Sequence, residues 1–277
     1  MMKSLSLEDL CIHQVCIWKQ SNFKESLECL ARNGVFKTAL WKPLLKNTEL
    51  KQAKQNLRDS GVQAVSMCPL VLLDEEAYPN AIARHQSHQQ FLEDAAELEV
   101  QSVVVITGGL SKGSRDLIGQ REKVLEELER LAQLAEATGV RLALEPLHPM
   151  VCGYRSVISS LSEANDLLDH LNRDDVYGIA VDTYALWWDS NLQQQIRRSG
   201  KRLINFHVSD WLTETKDLRL DRGMPGDGII DNPLIRGWME ESEYQGSIEI
   251  EILSALNWWK QPSETVIKAI CQSLANL

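Results

Sequence analysis

Disulfide spacing, long apolar runs and positive charge are all in short supply in this chain, and each shortage removes a class of protein. Six cysteines (Cys11, Cys16, Cys29, Cys68, Cys152 and Cys271) are scattered over 277 residues with no CxxC or zinc-finger spacing. They read as reduced, mostly buried thiols, which sets the expectation of a cytoplasmic protein. The opening Met1-Met2-Lys3-Ser4-Leu5-Ser6 lacks the apolar core of a signal peptide. No apolar stretch approaches the roughly 18 residues of a membrane span. Neither secretion nor a membrane partner is expected. Lys and Arg number 29 against 39 Asp and Glu, a formal charge of -10. That balance favours solubility and disfavours a broad nucleic-acid footprint. What is plentiful is core-forming material, at 44% hydrophobic residues. A full core is therefore available and disorder is not expected.

Two periodicities alternate along the chain. Apolar segments expected as strands fall at 11–18, 35–41, 62–68, 102–106, 141–145, 177–182, 203–207 and 247–252. Helical rhythm fills 23–32, 49–58, 85–98, 122–137, 162–171, 192–199, 234–240 and 264–274. The stretch 122–137 is the clearest, with Val124, Leu128, Leu131, Leu134 and Ala135 on one side and Gly139 as its stop. The long mixed loop 69–80 has the character of a lid or pocket wall. Eight strand-helix units of roughly 30 residues, with no linker or break in composition, predict a single-domain (β/α)8 TIM barrel over residues 1–277.

Four of the later strands share a layout: an apolar run that ends in a polar, metal-competent residue. They are Arg141-Leu-Ala-Leu-Glu145, Tyr177-Gly-Ile-Ala-Val-Asp182, Leu203-Ile-Asn-Phe-His207 and Ser247-Ile-Glu-Ile-Glu251. A buried carboxylate must be paired, hydrogen-bonded or metal-bound. Each residue alone has an ordinary role: an acid at a strand end usually caps a helix or meets an arginine, and a lone histidine is usually a satisfied core residue. Jointly, at the C-terminal ends of the fifth to eighth strands, they predict one site. Three carboxylates and an imidazole suit one divalent ion such as Mn, Mg, Co or Zn.

The same segments carry a resemblance. Leu144-Glu-Pro-Leu-His148-Pro149, Val181-Asp-Thr-Tyr184 with Trp187-Trp188-Asp189, His207-Val-Ser-Asp210, Asp221-Arg222-Gly-Met-Pro-Gly-Asp-Gly228 and Ile250-Glu-Ile252 are similar to motifs of the xylose-isomerase-like barrels. That superfamily includes sugar isomerases, ketose 3-epimerases and the inosose dehydratase group. The likeness is strongest over about 140–255. It implies that Glu145, Asp182, His207 and Glu251 are the metal ligands. It also implies that Glu145 and Glu251 are the catalytic acid/base pair, facing opposite sides of the carbon whose proton moves. One departure stands out, because the family's Asp-x-x-His arrangement places a substrate-contacting histidine where this chain has Ala185.

Candidate substrate contacts are Arg222, His148, His13, Arg155 and Trp188. Arg222 has an alternative as a loop anchor paired with Asp221 or Asp227, and Arg155 as a solvated loop residue. Trp188, with Trp187, is either a sugar-stacking wall or a seal of the rim or of a subunit contact, and Trp258-Trp259 is read as packing or dimer burial. Lys42 and Trp41 are further pocket candidates, and Asp210 a group that orients the histidine or the loop. Thr107-Gly108-Gly109 lacks the spacing of a phosphate-binding loop. The expected activity is metal-dependent isomerisation or epimerisation of a small sugar or polyol through an enediolate. Two alternatives stand beside it: a metal-dependent keto-inositol-type dehydratase, and a non-catalytic sugar-binding barrel. The related abasic-site endonucleases use a three-zinc cluster with several more histidine ligands, which six histidines in all, an acidic balance and an incomplete set of cluster positions disfavour here. A homodimer or homotetramer is compatible with the tryptophan-rich rim.

Overall fold

Eight short strands pair edge to edge into one closed ring in the computed structural model, which describes residues 3–78 and 80–277. Pro79, inside the expected lid loop, and the first two methionines lie outside the described residues. The strands are β1 (Leu10–His13), β2 (Lys37–Trp41), β3 (Gln63–Val71), β4 (Ser102–Ile106), β5 (Arg141–Leu144), β6 (Tyr177–Asp182), β7 (Leu203–Val208) and β8 (Ile248–Ile250). All neighbours are parallel, and β1 pairs with both β2 and β8 to close the barrel. Parallel strands enclosed between a filled lumen and a ring of helices are buried on both faces, so they read as continuous apolar runs.

The outer ring consists of α1 (Phe23–Arg32), α2 (Leu50–Ser60), α3 (Ala81–Glu97), α4 (Leu117–Thr138), α5 (Leu161–Leu171), α6 (Leu192–Ser199), α7 (Asn232–Glu241) and α8 (Ser263–Gln272). Helix α4 buries Val124, Leu128, Leu131, Ala132 and Ala135 on one stripe. Each fully buried leucine there contributes about 1.5–3 kcal/mol. Asn22 starts α1 by accepting from the Glu25 amide, and Gly139 ends α4 in the left-handed region at φ 72°. Among the described residues no helix is long and apolar enough to cross a membrane.

Boundaries depart from the sequence reading where side chains intervene. The first strand stops at His13, followed by a 3-10 turn over Gln14–Ile17. The Gln14 side chain there accepts from the Trp41 amide at 3.0 Å and donates to Ser26 at 2.9 Å. Strand β3 continues past Cys68 to Val71, so Pro69 belongs to the barrel wall and not to a lid. Helices α3 and α4 begin four and five residues earlier than 85 and 122, capped by Asn80 and Asp116. Their first turns carry Ile82 and Ile118, both exposed, which hides the amphipathic rhythm. Gly108 (φ 85°) lets the loop after β4 lie on the loop after β3, since a Cβ there would stand 2.2 Å from the Leu73 carbonyl oxygen.

The C-terminal ends of the strands open onto one mouth. Residues 213–231 fold over it from a two-stranded ribbon, Asp210–Trp211 against Arg222–Gly223. Asp210 anchors this loop by accepting from the backbone amides of Trp211, Gly226 and Ile230 at 2.8–3.0 Å. Of its two expected roles, orienting the loop is the one seen.

Candidate active site

Strand register brings the four strand-end residues to one level. Asp182 closes β6 beside His207 of β7, while Glu145 and Glu251 sit one residue beyond β5 and β8. His207 Nδ1 lies 2.6 Å from Glu145 Oε1. Glu145, His207 and Glu251 each present one ligand atom within 4.8 Å of the other two, and all three are buried. Asp182 stands outside that trio. Its Oδ1 accepts from the Tyr184 amide at 2.9 Å and its Oδ2 from Arg222 at 3.2 Å.

Arg222 is the hinge between the acids. The same Nη1 that meets Asp182 donates to Glu251 Oε2 at 2.9 Å, and the guanidinium lies 4.5 Å over the Tyr184 ring. Asp221 and Asp227 are engaged elsewhere, accepting from the Lys216 and Met224 amides. Arg222 therefore anchors on the site's own carboxylates and not on its loop neighbours.

A second polar layer lies below the first, around Glu249, which the sequence reading passed over. Its oxygens accept from Ser66 and from Asn205, both at 2.6 Å, and Ser102 in turn donates to Asn205 at 2.9 Å. His13 and His207 both aim Nε2 at Glu249 Oε2, at 3.4 and 3.7 Å. Among the described residues neither nitrogen has any other partner. His13, a candidate substrate contact, points inward but into this lower layer and is not part of the pocket wall: its Nδ1 is 3.6 Å from Glu251 Oε1 and its ring edge-on to His207 at 4.7 Å. The signal for Glu249 was period two: residues 249 and 251 share one face of the strand, as do 205 and 207.

Burial and pairing pull these groups apart in acidity. Burial draws the His207 imidazole down, but Glu145, then Glu249 and Glu251, outweigh it and raise it to about 10. Burial pushes Glu251 up, but Arg222, His13 and His207 hold the carboxylate low. Burial pushes Asp182 up against the pull of Arg222, with Glu145 and Glu251 adding to the rise. Burial likewise opposes Glu249, whose pairing with His13 and His207 keeps it below its ordinary value. Four buried carboxylates thus face one guanidinium and two imidazoles.

Above this floor is a pocket walled by Trp41, Pro69, His148, Arg155, Ala185 and Arg219 among others. His148 lines it with Nδ1 already accepting from the Met150 amide at 3.2 Å and its ring on Trp211 at 4.9 Å. Trp188 is not in the wall. It is 40% exposed, donates to the Ala185 carbonyl and meets His148 from outside. Lys42 turns away to Asp94 at 3.1 Å. Trp259 donates to the Val15 carbonyl and packs on Trp18, a core role shared by its neighbour Trp258.

Fold and site together define a (β/α)8 barrel whose buried carboxylate–imidazole centre floors the C-terminal mouth. The chain belongs to the xylose isomerase-like TIM barrel family, whose model matches residues 30–277. Among its relatives is a protein of Bacillus velezensis named inosose isomerase, 24% identical over 283 residues, covering 94% of this chain and 93% of the relative. A solved protein of Sinorhizobium meliloti 1021 superposes with a TM-score of 0.92 at 34% identity, covering 98% of each chain. The IOLI protein, solved with a bound zinc atom, gives 0.82 at 20% identity over 96% of each chain.

Proposed function

We propose that this protein is a divalent-metal-dependent isomerase or epimerase of a small sugar or polyol. The observation that carries the reading is the buried trio Glu145, His207 and Glu251 at the floor of the pocket in the barrel mouth. The names of the Bacillus relatives and the zinc in the IOLI structure support it.

The residues present fit a divalent ion. The local surplus of buried carboxylates calls for a cation beyond Arg222, and carboxylate oxygens with one imidazole nitrogen suit Mn, Mg, Co or Zn. Glu145, His207 and Glu251 would hold it, with Asp182 completing the set if Arg222 swings aside. When bound, the ion supplies a positive charge that polarises a substrate carbonyl.

The proton chemistry falls to the chain's own carboxylates. Glu251 is kept ionised by Arg222, the state in which it removes a proton from the carbon beside the carbonyl. Glu145, three strands away around the ring, approaches from another side and returns the proton. Return to the neighbouring carbon isomerises; return to the opposite face of the same carbon epimerises. His13 and His207, facing Glu249, hold the two layers in register.

Calorimetric titration with Mn, Mg, Co and Zn, followed by product analysis on ketoses and inososes, tests the reading. One ion per chain and a rearranged product of unchanged mass are expected. Loss of water from the product would instead identify a dehydratase. No binding and no product would overturn the proposal.

A further inference from the structure

Arginine in this molecule is almost always paired. The buried or part-buried Arg84, Arg202, Arg222 and Arg236 meet Glu127, Asp174, Glu251 and Glu240 at 2.8–3.3 Å. Arg141, without an acid, donates to two backbone carbonyls. Among the described residues three arginines, Arg115, Arg155 and Arg219, have neither a carboxylate within 4.0 Å nor a side-chain hydrogen bond. Arg115 is exposed, so water solvates it. Arg155 and Arg219 are part-buried, come from two separate loops, and line the cavity that Glu145 and Glu251 floor.

Their juxtaposition is unfavourable as it stands. Arg219 buries its Nε without a partner. Burial, followed by the like charge of Arg219, lowers the Arg155 guanidinium from its ordinary range. Two neighbouring cations drawn partly out of water lose hydration and repel each other. The acids of the adjoining groove do not relieve them. Glu75 accepts from Ser111, Asp74 from the Ala77 amide, and neither these nor Glu76 come within 4.0 Å of the pair. Arg222 is not a spare donor, since it is committed to Asp182 and Glu251.

The cavity, otherwise largely apolar, therefore carries charge at two places, carboxylates on its floor and unpaired guanidiniums toward its mouth. We infer that its substrate is an anionic sugar, a monosaccharide bearing a phosphate or a carboxylate. Arg155 and Arg219 clasp the charged end while the carbonyl end meets Glu145 and Glu251. Guanidinium forks match both oxyanions in shape and charge. The floor acids repel the anion and so fix which end of the substrate enters first. This inference rests on the proton-transfer reading for the carbonyl end, but the anion site itself does not.

The test pairs neutral and charged versions of one skeleton on the metal-loaded wild-type protein: fructose against fructose 6-phosphate, ribulose against ribulose 5-phosphate, and fructose against fructuronate. Affinity is read by calorimetry and proton exchange by NMR in heavy water. The charged member of at least one pair is expected to bind about 10- to 100-fold tighter, the worth of one or two charge-assisted hydrogen bonds. Which pair responds separates phosphate from carboxylate. The double variant Arg155→Gln, Arg219→Gln should shrink that ratio about tenfold. Tight binding of a charged member without exchange upholds the anion site and sinks the proton-transfer reading. Exchange with equal or better binding of the neutral sugars, or no preference in any pair, overturns the inference.

Discussion

At the scale of the residue, Glu251 has two duties: it neutralises Arg222 and, in the proposed reaction, takes the substrate proton. The first duty can be shared, because Arg222 also reaches Asp182. The second cannot. Glu251→Gln should lower proton exchange by about 10²- to 10⁴-fold while the protein stays folded. Circular dichroism beside the rate assay checks both halves. Glu249→Gln should weaken divalent-ion affinity about 10- to 100-fold, because it loosens the group facing the outer nitrogen of His207. Competition with a chelating dye reads this, and unchanged affinity would reduce Glu249 to a packing residue. The difference between these acids explains what the sequence showed. Glu145, Asp182, His207 and Glu251 end apolar runs and are conspicuous there. Glu249 is hidden inside its run and surfaces only when the strand's alternation is carried back one step. Arg219 gave no signal, because a loop has no periodicity. Trp188 stayed open between wall and rim for the same reason: nearness to Asp182 in sequence does not say which way a loop side chain turns.

At the scale of the element, the loop 213–231 brings Arg219 and Arg222 to the cavity, and one carboxylate anchors it. Asp210→Ala removes the acceptor for three backbone amides, each charged hydrogen bond contributing roughly 1.5–3 kcal/mol. The barrel itself should persist, since Asp210 touches only the loop and its ribbon. Limited proteolysis is expected to cut within this loop much faster in the variant, and KM to rise more than kcat falls. Cleavage at the wild-type rate would show that other contacts seat the loop. Element types were readable because strands buried on both faces and helices buried on one leave different periods. Element ends were less so. Exposed Ile82 and Ile118 blurred two helix starts, and the side-chain bonds of Gln14 bent the first strand into a turn.

At the scale of the whole molecule, the buried centre ties stability to pH and to metal. His207 is raised from 6.5 to about 10, so its stabilising charge is fully present below 6.5 and is lost as pH climbs toward 10. Asp182, also pushed up, acts in the same direction. Glu251 is depressed from 4.5, so its contribution is present above 4.5 and is lost as pH falls toward about 2. Metal-free protein should therefore lose stability as pH rises above 6.5. An ion that displaces the His207 proton should bind more tightly over the same interval. Thermal unfolding with chelator and with Mn, compared at pH 6 and pH 8, should show a widening gap; a gap that narrows would count against His207 as a ligand. The barrel was legible in the sequence because eight repeats of one unit leave a count as well as a pattern. The charge of the substrate was not, since it depends on which arginines the folded chain leaves without partners.

The most direct test of the central claim is deuterium incorporation at a carbon-bound position of a ketose or inosose in heavy water. The metal-loaded protein is followed by NMR beside chelator-treated protein and Glu251→Gln. Incorporation by the loaded wild type, abolished by chelation and by the substitution, is the expected result. Incorporation that continues undiminished in either control would contradict a metal-dependent proton transfer at this site.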